Sequence, residues 1–125
     1  MNVDNQMTQQ FLEESSKYFN IGIPALVFNH ARRGQAKRMR TPEGVYTEVI
    51  LPVTVLSHGE AFTKYYVVHE CAHLALNVRE HNNEFKETEK KALREVFGIG
   101  IRYARVFPQF LYDHETKATL WGLRR

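Results

Sequence analysis

Cysteine is almost absent from this 125-residue sequence, which contains only Cys71. One thiol cannot form an internal disulfide or supply a four-thiolate zinc site, so any metal must be held by histidine and carboxylate side chains. The sequence also lacks an apolar run near the roughly 20 residues that cross a bilayer, and its N-terminus lacks the pattern of a secretory signal. We therefore expect an intracellular, cytoplasmic protein with no membrane-spanning segment.

Acidic residues are missing from a long stretch near the N-terminus. No Asp or Glu lies between Glu14 and Glu43, although the net charge of the whole chain is only +3. This imbalance predicts one positive face. Its basic residues are candidates for phosphate contact and hence for DNA binding, with a solvated positive face as the alternative. These candidates are Arg32, Arg33, Lys37, Arg38 and Arg40.

The length fits one domain over residues 1–125, and the 43% of hydrophobic residues is ordinary for a globular protein. Periodicity predicts a helix over residues 8–19, a strand at 25–28 and a hairpin of residues 36–40 with 45–51. A capping box at Ser57 and Glu60 predicts the start of a buried helix that runs to residue 78. A supporting helix then runs from Asn82 or Asn83 to Gly98, and residues 99–125 suggest strands.

The buried helix contains the segment HECAH, which matches the pattern HExxH. His69 and His73 lie one helical turn apart, with about 6 Å between their Cβ atoms, and can bind one metal ion. Glu70 is rotated away from them and can take a proton from a water molecule on the metal. Burying these groups unpaired would cost several kcal/mol, which a divalent cation offsets most simply. A metal-free His–Glu network is the alternative.

A zinc hydrolase needs a third protein ligand and one open position for water. His81 follows the buried helix after a short connection, and a chain that turns back there brings His81 over the histidine pair. The competing candidates are Glu84 and Glu87 on the supporting helix, for which a solvated helix face is the favoured explanation.

The segments YYVVHECAHLAL and EHNNEF, with the upstream ARRGQAKRMR and VYTEVILP, resemble SprT-like zinc metallopeptidases over roughly residues 25–86. The resemblance implies that His69, His73 and His81 bind one zinc ion per chain and that Glu70 is the catalytic base. It also implies a minimal zincin-like α+β fold, with an N-terminal helix, a small three- to four-stranded sheet, the HExxH helix and a supporting helix. Residues 99–125 then form a C-terminal extension, without the Cys-rich zinc ribbon of many family members.

These observations predict a zinc-dependent metallopeptidase that hydrolyses peptide bonds in protein or peptide substrates, with Glu70 as general base. The predicted strand at residues 45–51 is a candidate edge for aligning the substrate. Tyr103, Tyr112 and His114 are candidate oxyanion donors. The alternatives are a nucleic-acid-associated module with a structural zinc ion and a protein-binding module with a vestigial zinc site.

Overall fold

The computed structural model describes residues 3–31, 33–103 and 118–122. The helices and small sheets of these residues confirm the predicted α+β class. The elements in chain order are α1 (Asn5–Phe19), β1 (Ala25–Asn29), β2 (Gln35–Thr41), β3 (Gly44–Pro52), α2 (Glu60–Leu76), α3 (Asn83–Ala92), β4 (Ile99–Tyr103) and β5 (Ala118–Gly122).

Within the described ranges, no helix is both long and apolar enough to cross a membrane.

Helix α1 begins three residues before the predicted position because Asp4 caps it. The Asp4 carboxylate accepts a hydrogen bond from the backbone N–H of Met7 at 2.8 Å, which satisfies one of the free amides of the first turn. The predicted stop is confirmed, since Asn20 adopts a left-handed conformation with φ of 55°. The helix buries Phe11 and Leu12 against the rest of the core.

The predicted capping box before α2 is wrong. A 3-10 helix, Val53–His58, occupies this segment, and the Ser57 hydroxyl donates to the Thr54 carbonyl within it. Gly59 then turns the chain with φ of 102°, a conformation that favours glycine, and α2 starts at Glu60. The turn at Gly59 therefore separates Ser57 from the first turn of α2, so that Ser57 does not cap this helix.

Helix α2 is the central element, as its apolar sequence predicts. Eleven of its 17 residues are buried, and it packs against α1 on one side and against the three-stranded sheet on another. It ends at Leu76 instead of residue 78, because Asn77 takes a left-handed conformation with φ of 54°. The helix therefore carries the HExxH residues through the middle of the hydrophobic core.

The main sheet has the order β1-β3-β2. Strand β3 pairs with β2 as the predicted antiparallel hairpin and with β1 in parallel. Because β3 is the central strand, the proposal that residues 45–51 form a free edge is wrong. Its burial also changes along the strand, from exposed Val45 to fully buried Leu51, because only its C-terminal half lies within the core.

The C-terminal elements close the core on the other side of α2. Asn82 caps α3 as predicted, its side chain accepting from the Phe85 backbone N–H at 2.9 Å. A π-helical turn, Leu93–Phe97, extends α3 until Gly98 ends it with φ of 67°. The predicted strands beyond Gly98 are confirmed within the described residues, where β4 and β5 form an antiparallel pair.

Arg38 on β2 joins the hairpin to the end of α2. Its guanidinium donates to the Leu74 carbonyl at 2.7 Å and to the Asn77 side-chain oxygen at 2.6 Å. Leu74 belongs to the last turn of α2, where carbonyls have no partner within the helix. A cation at this helix end is also favoured by the helix dipole. Arg38 therefore holds β2 beside the HExxH helix.

We predict that Arg38→Met lowers the free energy of unfolding by about 1–2 kcal/mol, because it removes both hydrogen bonds and leaves the Leu74 carbonyl unsatisfied. Urea denaturation measures the change. Arg40→Met is the matched control, since Arg40 lies two residues along the same strand and is exposed. Equal unfolding midpoints for the two variants would contradict this role for Arg38.

Candidate metal centre

Three histidine side chains meet where α2 faces the loop before α3. His69, His73 and His81 each offer a ring nitrogen, and the three nitrogens lie within 4.8 Å of one another. His69 is fully buried, whereas the other two are half-buried and line a groove. The loop after Asn77 folds back as predicted and brings His81 over the other two. The arrangement can bind a metal ion.

The ring of His69 is oriented by Glu89, a fully buried residue of α3. The His69 Nδ1 atom hydrogen-bonds the Glu89 carboxylate, which also accepts a hydrogen bond from the Tyr103 hydroxyl on β4. An ionised carboxylate only accepts hydrogen bonds, so Nδ1 carries the proton and Nε2 keeps its lone pair. A carboxylate behind a histidine is a common support for metal ligands, because it fixes the tautomer and raises the ligand's basicity.

His73 is oriented in the same way by a backbone group. Its Nδ1 atom lies 2.8 Å from the Val78 carbonyl oxygen, which accepts the Nδ1 proton. The Nε2 atom of His73 therefore presents its lone pair, and it lies 3.1 Å from Nε2 of His81. Ligand nitrogens at 2.0–2.1 Å from a tetrahedral zinc ion are about 3.3 Å apart. The separation of these two atoms thus suits coordination of one ion.

The surroundings keep the outer two imidazoles neutral. Burial lowers the pKa of His73, and it lowers the pKa of His81 to about 4, with His69 and His73 adding to the effect. An imidazole must be unprotonated to bind a metal. His73 and His81 therefore present neutral imidazoles at neutral pH, as coordination of a metal ion requires.

Phe85 forms the apolar floor of the cluster. Its ring is fully buried, and its centroid lies 5.0 Å from that of His69, 4.4 Å from that of His73 and 5.1 Å from that of His81. A rigid aromatic surface beneath all three rings restricts their rotation. The Phe85 position in the segment EHNNEF is thus explained by packing against the histidines.

Glu70 lies beside the cluster and lines the same groove as His73 and His81. Its side chain is buried, and its carboxylate lies against the backbone of Gly34, the residue just before β2. A Cβ atom at residue 34 would lie 2.5 Å from the Glu70 Oε2 atom and 3.0 Å from the Ile50 carbonyl oxygen. Glycine is therefore required here for the close approach of β2 to the carboxylate.

The predicted nucleic-acid residues that the structure describes line one groove, although not all of them are free to contact a ligand. Arg33, Lys37 and Arg40 line the groove beside the histidines, but the Arg38 guanidinium is bound to the end of α2. Arg32 lies outside the described residues. The exposed part of the hairpin also presents apolar side chains, at Met39, Val45 and Tyr46.

Other candidates named from the sequence do not join the cluster. Glu84 is exposed, and Glu87 is exposed and bridges to Lys90, and neither belongs to the histidine cluster. The Tyr103 hydroxyl donates its proton to the Glu89 carboxylate, so in this arrangement it does not donate to an oxyanion. Tyr112 and His114 lie outside the described residues.

Cys71 is fully buried in the core, and burial raises the pKa of its thiol to about 12, so it is not a thiolate ligand.

Sequence reasoning missed Glu89, the residue that orients His69. The signal was present, because Glu89 lies four residues after Phe85 and four before Leu93, on the apolar face of the predicted helix. A carboxylate on such a face needs a buried partner. The partner could not be named because His69 is 20 residues away along the chain.

In comparisons with known proteins, no protein-family model, curated protein or solved structure matches the chain. The interpretation of the site therefore depends on the HExxH segment, the third histidine and the geometry around them.

We predict that the protein binds one zinc ion per chain and that His81→Ala weakens binding by roughly a hundredfold, because a ligand is lost. Competition with a chromogenic chelator measures the affinity, and metal analysis gives the stoichiometry. His30→Ala is the control, since His30 is exposed and lies outside the cluster. Equal zinc affinity in the two variants would exclude His81 as a ligand.

We also predict that Glu89→Gln weakens zinc binding by about 10- to 100-fold, because the neutral amide no longer raises the basicity of His69. The same chelator assay applies. Glu87→Gln is the matched control, being an exposed glutamate on the same helix. A Glu89→Gln protein with the unfolding midpoint and the zinc affinity of the parent would contradict the role of Glu89.

Proposed function

We propose that the protein is a zinc-dependent metallopeptidase with a minimal zincin-like fold, similar to the SprT-like family. The observation that carries the proposal is the position of the buried Glu70 carboxylate in one groove with two of three clustered imidazoles. A purely structural zinc site is closed by four protein ligands, whereas a catalytic one keeps a position open. Among the described residues, His69, His73 and His81 form the only such group of potential ligands.

The residues present fit a zinc ion. Three neutral nitrogen donors are the ligand set of several hydrolytic zinc sites, and Glu89 supplies the outer carboxylate that such sites use. When bound, zinc would act as a Lewis acid that polarises a peptide carbonyl and lowers the pKa of a nearby water molecule.

Glu70 is the proposed general base. Its carboxylate would accept a proton from the attacking water molecule and later pass that proton to the leaving amine of the cleaved bond. Burial against Gly34 fixes the carboxylate on the groove side of α2. Such positioning lowers the entropic part of the barrier to proton transfer.

Strand β2 is the proposed guide for the substrate backbone. It lies at the edge of the sheet, and its outer side pairs with no other strand in the described part of the chain. The residues from Gly34 to Arg40 line the groove that holds Glu70 and His81. An extended peptide could add to this edge through backbone hydrogen bonds and pass the histidine cluster.

The test of this proposal is Glu70→Gln. We expect that the variant keeps its zinc ion but hydrolyses denatured casein roughly 10²- to 10⁴-fold more slowly, because the amide cannot accept the proton. Glu60→Gln is the control, since Glu60 lies on the same helix at an exposed ion pair with Lys64. Zinc content is measured beside peptide release.

Equal hydrolysis by Glu70→Gln and by the parent protein would refute the mechanism. A zinc-loaded parent protein that releases no peptide would favour the binding-module alternatives.

We further predict that Gly34→Ala slows hydrolysis at least about tenfold, because the added methyl group displaces the Glu70 carboxylate by occupying its position. Zinc affinity should stay near that of the parent, since the atoms nearest to the added methyl group belong to Glu70 and Ile50 and not to a histidine. Gly22→Ala is the control, because a Cβ atom there meets nothing within 4 Å. Unchanged turnover in Gly34→Ala would show that the carboxylate position is unimportant.

A further inference from the structure

The groove beside the histidine cluster is lined by an excess of positive charge. It has a volume of about 780 Å³, and among the described residues that line it Glu70 is the only acid. The cations of this groove come from β2 and its approach, and from the loop after α2. They are Arg33, Lys37, Arg38, Arg40 and Arg79.

Four of these cations are available to a ligand. Arg38 is bound to the end of α2, but the other four form no salt bridge with another described residue. Glu48 lies opposite Lys37 in the hairpin register, but it does not line the groove, and the two side chains form no salt bridge. Within the described residues, the groove therefore carries more cations than acids, and four of its cations have no ion-pair partner.

The available cations follow the proposed path of a substrate. Arg33 precedes Gly34, which contacts Glu70, and Arg40 lies six residues farther along β2, about 20 Å away in an extended strand. Lys37 and Arg40 project from opposite faces of the strand because side chains alternate. Arg79 lines the same groove from the loop that leads to His81. An added strand would meet cations on both of its faces.

From this arrangement we propose that the groove selects acidic segments of protein chains, with Asp or Glu several residues to one side of the cleaved bond. This inference rests on the proposed peptidase function and adds the class of its substrate. Lys37, Arg40 and Arg79 are the specificity-determining residues, and they act through charge, since carboxylates attract cations most strongly in a partly enclosed groove.

A peptide fits the groove better than a nucleic acid does. The exposed part of the hairpin mixes its cations with the apolar side chains of Met39, Val45 and Tyr46, so it is not a uniformly basic face. A duplex presents regularly spaced phosphates and needs cations spread over a broad face. A strand edge instead offers alternating amides and carbonyls that match a peptide backbone.

Binding tests the inference separately from catalysis. Zinc-loaded Glu70→Gln protein is titrated with two fluorescein-labelled peptides of one length, in which every Asp and Glu of the first is Asn or Gln in the second. We expect the acidic peptide to bind about tenfold more tightly at low salt, with the difference lost near 1 M salt, where the screening length is about 3 Å.

Charge reversal identifies the residues. Lys37→Glu combined with Arg79→Glu should abolish the preference for the acidic peptide. Lys17→Glu combined with Lys91→Glu makes the same change in net charge at exposed helix positions outside the groove, and it should preserve the preference. Loss of preference in both double variants would show a general charge effect and overturn the assignment.

Two further results would overturn the inference. One is equal affinity for the acidic and amide peptides. The other is a DNA duplex that binds more tightly than the acidic peptide and loses affinity only in the groove variant.

Casein hydrolysis without any acidic preference would leave the peptidase function standing and reject the inference. If the parent protein binds the acidic peptide selectively but hydrolyses no peptide, the acidic selectivity of the groove is supported and the peptidase function is rejected.

Discussion

Burial of ionisable groups in the central helix is the constraint on which the site depends. His69 and Glu70 are adjacent, and both lie inside a core built from apolar side chains. Such groups are stable in an apolar interior only when neighbouring groups compensate them. Glu89 and Tyr103 provide that compensation behind His69, and the approach of Gly34 shapes the space around Glu70. The elements packed around α2 thus serve the helix that carries the histidines.

The three-stranded sheet and the pair of α3 and β4 contribute different residues to the surroundings of α2. The three-stranded sheet supplies the groove wall, and Arg38 ties that wall to the helix end. Helix α3 and β4 supply Phe85, Glu89 and Tyr103, which support the histidine rings from the opposite side. The wall of the groove and the orientation of the histidine rings are therefore set by different elements of the fold.

Local sequence patterns predicted most of the helices and strands. They could not predict the position of β3 in the sheet or the partner of Glu89, because both depend on contacts between residues far apart in the chain. The i, i+4 histidines, the Asn82 cap and the Asn20 stop follow from neighbouring residues, and each was found where expected. The central position of β3 depends on its parallel pairing with β1, for which no local signal exists. The link between Glu89 and His69 likewise joins two helices. His81 was predictable because its loop is too short to carry it far from α2.

The spacing of the three clustered histidines along the chain has a consequence for the order of assembly. All three imidazoles belong to one short stretch, from His69 to His81, whereas Tyr103 comes later and holds the carboxylate that orients the first of them. During synthesis from the N-terminus, a chain that ends just after His81 already contains all three imidazoles. It still lacks Glu89 and Tyr103, which orient His69. Full preorganisation of the donor atoms must therefore await the arrival of β4.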